Sequence, residues 1–416
     1  MKFAITAIGI LSLGAAYGLS SSAATLEPLS SSQVSHLEAF YQDLHRNPEI
    51  SGEEVRTAAK VAAEFRALGL DTKDHIGGTG VIGILKNGEG PVTLVRAELD
   101  GLPVIENTGV SFSSQTKGKM HACGHDFHEA IMLGAATEMI QNKVNWKGTL
   151  IFLAQPAEER IFGAKAMISD DLFKKIPKPD QLLALHTAGA LPKGKVEVTS
   201  GFALANADTI DVTFRGKGAH GSRPEAGVDP IIEAAEFILK TQTIIGREKA
   251  ASKPAVLGVG SIHGGTRGNI IPDEVKLQLT LRTYDADLRK LLKRRVIETA
   301  EGIAKTDGAP APTIDFAEAT NATYNDPLLA ARLKKALTAA LGTDVVYDGE
   351  PIMGSEDFGE FGLAIHAPSL FIWLGEQNPK DMSVANHSPK YLPDFDKTFS
   401  VGVRATVAEL MELHKK

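Results

Sequence analysis

Short apolar runs alternate with segments of helical period over most of this chain, and that alternation limits the folds open to it. Apolar runs fall at 80–85, 92–97 and 149–155, and helical patterns at 34–69 (broken by Asn47-Pro48 and ended at Gly69), 126–142 and 163–169. Strands alternating with helices predict an α/β fold, a mixed and mostly parallel sheet flanked by helices. The middle of the chain reads differently. Strand patterns at 208–214, 255–262, Glu274–Thr283 and 313–319 are separated by helical patterns at 229–243 and 285–303. That β-α-β-β-α-β order is the ferredoxin-like split motif. Helix Pro327–Leu341, a strand at 369–374 and a closing helix from about Phe399 then resume the first pattern. The expected organisation is one domain, 25–205 and 320–416, with a second inserted at 206–319 as a lid or dimerisation unit.

Residues 1–24 are set apart as a targeting segment. Lys2 precedes an uncharged stretch rich in Ile, Leu, Ala and Gly, and Ser22-Ala23-Ala24 fits a signal-peptidase site. The stretch is short for a membrane span. The expectation is a cleaved signal peptide, a periplasmic or secreted protein, and no stable membrane anchor after cleavage. A net charge of −7 without a basic run argues against a nucleic-acid partner. With one cysteine, Cys123, an intrachain disulfide is impossible.

The densest chemistry lies in His121-Ala122-Cys123-Gly124-His125-Asp126-Phe127-His128. Thiolate and imidazole are good ligands for Zn²⁺ and its neighbours. An extended backbone would turn Cys123 and His125 to one side. Asp126 and Glu129 have the spacing of a capping box. The competing reading is a helix N-terminus with incidental histidines. Gln155-Pro156-Ala157-Glu158-Glu159 follows an apolar strand, the edge where open α/β sheets bind ligands. One of two adjacent carboxylates can hold a metal while the other moves a proton. Leu183-Ala184-Leu185-His186 and Asn386-His387-Ser388-Pro389 each add a histidine. Cys123, His125, Glu159, His186 and His387, with a bridging water, would satisfy two divalent ions.

These motifs resemble the aminoacylase and carboxypeptidase family of co-catalytic metallohydrolases. Within it they are most similar to the N-acyl amino acid amidohydrolases, which include hippurate hydrolases and indole-acetyl-amino-acid hydrolases. The likeness also covers His45-Arg46-Asn47-Pro48-Glu49, 96–103, Gly216-Lys217-Gly218-Ala219-His220, 264–272 and Gly354-Ser355-Glu356-Asp357-Phe358. It implies a dimetal exopeptidase-like catalytic domain. Cys123, His125, Glu159, His186 and His387 match metal ligands, with Cys123 where other branches carry a bridging aspartate. Glu158 matches the general base, and Asp100 a carboxylate that orients a ligand. His220 matches a histidine that reaches the active site, often from a partner subunit, to stabilise an oxyanion. Asn269 and Arg282 match positions that hold a substrate carboxylate. Glu98 stands where aspartate is usual, and Thr187 where valine is common.

The function expected is cleavage of an N-acyl, including N-aroyl, amino acid to a carboxylic acid and a free amino acid. Two divalent ions are expected, Zn²⁺ or Mn²⁺ first and Co²⁺ or Ni²⁺ as alternatives, in a homodimer joined through the inserted domain. A dipeptidase or carboxypeptidase on the same fold is the near alternative. A thiol hydrolase using Cys123 and His125, and a binding protein that keeps the fold, are the more distant ones.

Overall fold

The computed structural model describes residues 26–377 and 384–416. The segment read as a signal peptide lies outside the described residues. The central sheet runs Asp71–Ile76, Gly80–Asn87, Gly148–Gln155, Val92–Glu98, Gln181–Pro192, Ser369–Gln377, Val196–Val198, Val346–Asp348. The four strands from Gly148–Gln155 to Ser369–Gln377 are mutually parallel, and antiparallel pairs lie on both sides of them. This is the mixed, mostly parallel sheet expected from the alternation of strands and helices.

Each central strand serves two cores. In Gly148–Gln155, Leu150, Phe152 and Ala154 join one core, and Ile151 and Leu153 the other. A strand buried on both faces needs a continuous apolar run, which is how these segments read. Helices Ser31–Arg46, Val55–Ala67, His125–Gln141, Pro327–Leu341 and Ser400–His414 supply the first core; Gly163–Ser169 and Gly359–Ile365 supply the second. Helix His125–Gln141 is buried on all sides from His125 to Met139. It is packed against the sheet and against helices Ser31–Arg46 and Ser400–His414. The functional motif at its start is therefore fixed in the interior.

Residues 207–320 build a separate antiparallel sheet in the order Ala255–Gly264, Glu274–Thr283, Ala207–Arg215, Thr313–Thr320. Helices Pro230–Arg247 and Ala286–Thr306 pack on it around Phe214, Phe237, Leu279 and Leu292. Asp229 and Asp285 cap these helices through their side chains.

Two local expectations are corrected. Asp126 and Glu129 do not form a capping box: Gly124 is the N-cap, with no side-chain cap. Asp126 sits in the first turn and bonds His45 instead, while Glu129 is buried without a partner. Nor is the backbone between Cys123 and His125 extended. Gly124 has φ 92°, and this left-handed kink is what brings the two side chains together. A Cβ at Gly124 would meet Thr187 Oγ1 at 2.5 Å. Gly124→Ala is expected to lower unfolding stability by about 1–3 kcal/mol, read by urea titration of metal-free protein. An unchanged midpoint would contradict this account of the kink.

Candidate metal centre and active site

Six side chains converge near the ends of the parallel strands. Cys123 precedes the buried helix and His125 is that helix's first residue. Glu158 and Glu159 follow strand Gly148–Gln155, and His387 lies in a loop with φ 69°. His186 is within its strand rather than at the end, since that strand continues to Pro192. Cys123 Sγ is 3.6 Å from His186 Nε2 and 3.4 Å from His387 Nε2. His387 Nε2 lies 3.4 Å from Glu159 Oε2. His125 Nε2 is 4.0 Å from Glu159 Oε1 and 3.7 Å from Glu158 Oε2.

Hydrogen bonding decides which ring nitrogen faces the cluster. His125 Nδ1 donates to the Asp100 carbonyl at 2.8 Å, with Asp100 Oδ1 at 3.2 Å. His186 Nδ1 donates to the Thr187 carbonyl at 2.7 Å. Both Nε2 lone pairs are thereby turned inward. His125 Nε2 and Glu159 Oε1 are buried with no hydrogen-bond partner. Orphaned buried donor and acceptor atoms are rare. A thiol, three imidazoles and a carboxylate whose lone pairs converge fit divalent cations.

A neighbouring group of Glu98, His125, His128 and His186 is also close enough for an ion, but Glu98 and His128 are committed elsewhere. The Thr187 N–H donates to His128 Nε2 at 2.9 Å. The His128 proton is then on Nδ1, which donates to Glu98 Oε2 at 2.8 Å. The two departures noted in the sequence, Glu98 and Thr187, thus grip one histidine from opposite sides.

The cluster is short of positive charge. Burial, then Glu356 and Glu159, push the Glu158 carboxyl well above its usual range. Burial also raises Glu159. Burial lowers His125, but Glu98, Asp100 and Cys123 outweigh it and hold its pKa up. A cation in the cluster would relieve the same imbalance. Burial and Glu159 raise the Cys123 thiol, the reverse of what a thiol nucleophile needs. Burial and then His128 lower His186 to about 3, so it is a neutral imidazole.

A cavity of about 530 Å³ opens on the cluster, lined by Cys123, Glu158, Glu159, His186 and His387, with Leu191, Leu204, Ile352 and Trp373 as apolar wall. Arg282 also lines it, bonded through Nη1 to Ser355 Oγ at 2.6 Å and the Met353 carbonyl at 3.0 Å. His220 is exposed in a different cavity with Ile270 and Pro272. Asn269 is exposed beside it, its carbonyl accepting from the Gly221 N–H at 2.8 Å. Within one chain, neither lines the cavity over the cluster.

Several supporting residues were not singled out by motif reading. Asn386 Nδ2 donates to the Thr187 carbonyl at 3.0 Å and the Cys123 carbonyl at 3.3 Å. The buried Arg96 pairs with Glu98, Glu356 and Asp357. Buried His45 bridges Asp126, 2.7 Å from Nδ1, and Glu106, 3.3 Å from Nε2. All three lie in segments quoted from the sequence, but their letters carry no role until the fold supplies the partners.

A helix-flanked sheet carrying such a centre at its strand ends defines a metal-centred hydrolase. Residues 94–411 match the family model described as Peptidase family M20/M25/M40, and the chain belongs to that family. It is 32% identical over 350 residues to the IAA-amino acid hydrolase ILR1-like 2 of Arabidopsis thaliana, covering 84% of this chain and 78% of that one. It is 32% identical over 355 residues to N-acetylcysteine deacetylase of Bacillus subtilis, covering 85% and 90%. It is 34% identical over 361 residues to thermostable carboxypeptidase 2 of Saccharolobus solfataricus, covering 85% and 89%. Among solved structures, the YxeP protein of Bacillus subtilis, described as a dinuclear metal-binding peptidase, matches with TM-score 0.78 at 29% identity. That match covers 92% of this chain and 98% of the other.

The His45 bridge generates a pH prediction. Burial lowers its pKa, but Asp126 and Glu106 outweigh this and raise it to about 9. Its contribution is therefore complete below its ordinary value of 6.5 and fades as pH rises through about 9. Metal-free protein should lose of the order of 2 kcal/mol of urea stability between pH 6 and pH 10. His45→Gln should flatten that part of the profile, and a variant with the wild-type slope would exclude the bridge as its source.

Proposed function

We propose that the chain is a dimetal amidohydrolase that cleaves N-acyl amino acids, N-aroyl ones included, to a carboxylic acid and a free amino acid. The observation that carries this is the convergence of orphaned His125 Nε2 and Glu159 Oε1 on Cys123, His186 and His387, beside the uncommitted carboxyl of Glu158. The naming of relatives as an acyl-amino-acid hydrolase and a deacetylase supports it.

Cys123, His125, Glu159, His186 and His387 would hold two divalent ions, with Zn²⁺ or Mn²⁺ as first choices. Bound there, the ions supply the Lewis acidity that polarises the amide carbonyl and acidifies water. Asp100 orients His125. Burial raises the Asp100 pKa, but hydrogen bonds led by His125 outweigh it and hold the carboxylate ionised. Glu158 takes the proton of the attacking water and returns it to the departing amine; its raised pKa suits both steps. Arg282 presents its guanidinium to the substrate carboxylate.

His220 and Asn269 would complete the site from a second subunit, which requires a homodimer through the inserted sheet. The exposed edge strand Ala255–Gly264 with exposed Val256 and Ile262 supports that reading. Residues 1–24 would direct export and be removed. A carboxypeptidase role has the support of two relatives' names.

Chelation should abolish hydrolysis of hippurate and N-acetyl amino acids, with Zn²⁺ or Mn²⁺ restoring it. Turnover of dipeptides alone would favour the peptidase reading. Glu158→Gln, which keeps size but cannot accept the proton, should lower kcat by about 10²–10⁴-fold with two metals per chain retained by elemental analysis. Wild-type turnover in that variant would rule out the assigned base.

A further inference from the structure

His186, Trp373 and Glu197 occupy one register row on one face of the central sheet. Trp373 pairs with His186 across one neighbouring strand and with Glu197 across the other. Tyr347 pairs with Glu197 one strand further on. Neighbouring strands lie about 4.8 Å apart, so Glu197 stands about 10 Å from His186 along this row. The Trp373 ring packs edge-on to the His186 ring, 5.3 Å between centroids. All three residues line the cavity above the metal cluster, together with Leu204 and Ile352.

Glu197 is 9% exposed. No hydrogen bond or ion pair to its carboxyl is found among the described residues, and burial and Glu350 raise its pKa. Gly349 leaves the carboxyl its place, because a Cβ there would lie 2.4 Å from Oε1. A partly desolvated carboxyl without a protein partner gains from a cation. Beside Trp373 in the cavity wall, it can give an alkylammonium a charge-assisted hydrogen bond. The apolar stretch between it and His186 takes no charge.

We infer that this arm of the cavity is a subsite for a cationic amine or guanidinium on the substrate, joined to the scissile amide by an apolar spacer. The inference rests on the amidohydrolase reading for the position of that amide. Glu197 lies two strands from His186, with Trp373 on the strand between. A para-substituted aroyl group is a rigid apolar spacer of that kind.

The test compares para-aminomethylbenzoyl-glycine with para-ethylbenzoyl-glycine, which match in shape and differ in charge, on metal-loaded protein. The amine should be preferred by at least about tenfold in kcat/KM, and Glu197→Gln should bring the ratio near parity. Calorimetric binding of the two product acids gives the same comparison without turnover, and the same ratio is expected there. Parity in the wild type, or a preference that survives Glu197→Gln, overturns the subsite. Absence of turnover with a Glu197-dependent preference between the product acids would instead overturn the amidohydrolase reading and leave the subsite standing. Should Glu197→Gln fail to fold, Glu197→Ala removes the carboxylate and must abolish the preference; a preference that persists there also overturns the subsite.

Discussion

A fully buried guanidinium holds the catalytic sheet to its own loops. Arg96 Nε donates to Gln155 Oε1 at 2.8 Å, and its two terminal nitrogens grip Glu356 at 3.0 and 2.6 Å while also reaching Glu98. The Phe358 ring lies 6.0 Å from its central carbon. Removing such a group from water costs several kcal/mol, and only a satisfied network repays it. Burial lowers the Arg96 pKa, yet Glu356, Glu98 and Asp357 raise it further, so the charge stays. From Glu98 the order passes to His128, then to the Thr187 peptide. The N–H of that peptide bonds His128 and its carbonyl holds His186 Nδ1. The orientation of the His186 imidazole therefore depends on a fully buried cation.

The site is also assembled under strain. Ala157, Ile161 and His387 take positive φ, at 51°, 50° and 69°, each costing about 1–3 kcal/mol. Two of these positions bracket Glu158 and Glu159, and the third is itself a donor. Ala157 is held by its N–H to Glu54 Oε1 at 2.9 Å, and the other oxygen of Glu54 accepts from Thr79 at 2.8 Å. The strained backbone lies on either side of the two adjacent carboxylates, Glu158 and Glu159.

The parts of the fold with strong periodicity were legible. Strands with apolar residues on both faces and helices with long apolar stripes follow from the sequence, including the central sheet and the split β-α-β-β-α-β order. Polar or very short pieces were not. Asp71–Ile76 is largely exposed, and Val196–Val198, Gly201–Leu204 and Val346–Asp348 have too few residues for a period to show. At the site, the density of His, Cys and Glu marked the donors that meet in the cavity. The Gly354-Ser355-Glu356-Asp357-Phe358 turn gave no role from its letters because its partner, Arg96, lies 260 residues away in sequence. Glu98 and Thr187 read as separate departures for the same reason: only the fold shows that they share His128. The helix cap was misread because Asp126 satisfies two pattern rules at once, and the tertiary partner His45 claims its side chain.

The turn at 353–358 is gripped from two directions. Arg96 holds Glu356 from the central sheet. Arg282, near the end of strand Glu274–Thr283 in the other sheet, bonds Ser355 and the Met353 carbonyl, and Ser355 Oγ reaches the Asn206 carbonyl at 3.2 Å. One short segment therefore keys the second sheet to the network that orients His186. Arg282 has one nitrogen engaged in this way among the described residues, and it lines the cavity. The separation between Arg282 and the cluster of Cys123, His125 and Glu159 is thus set by the same turn that Arg96 anchors. Movement of the second sheet would change that separation without disturbing the side chains of the cluster, all of which lie outside residues 207–320.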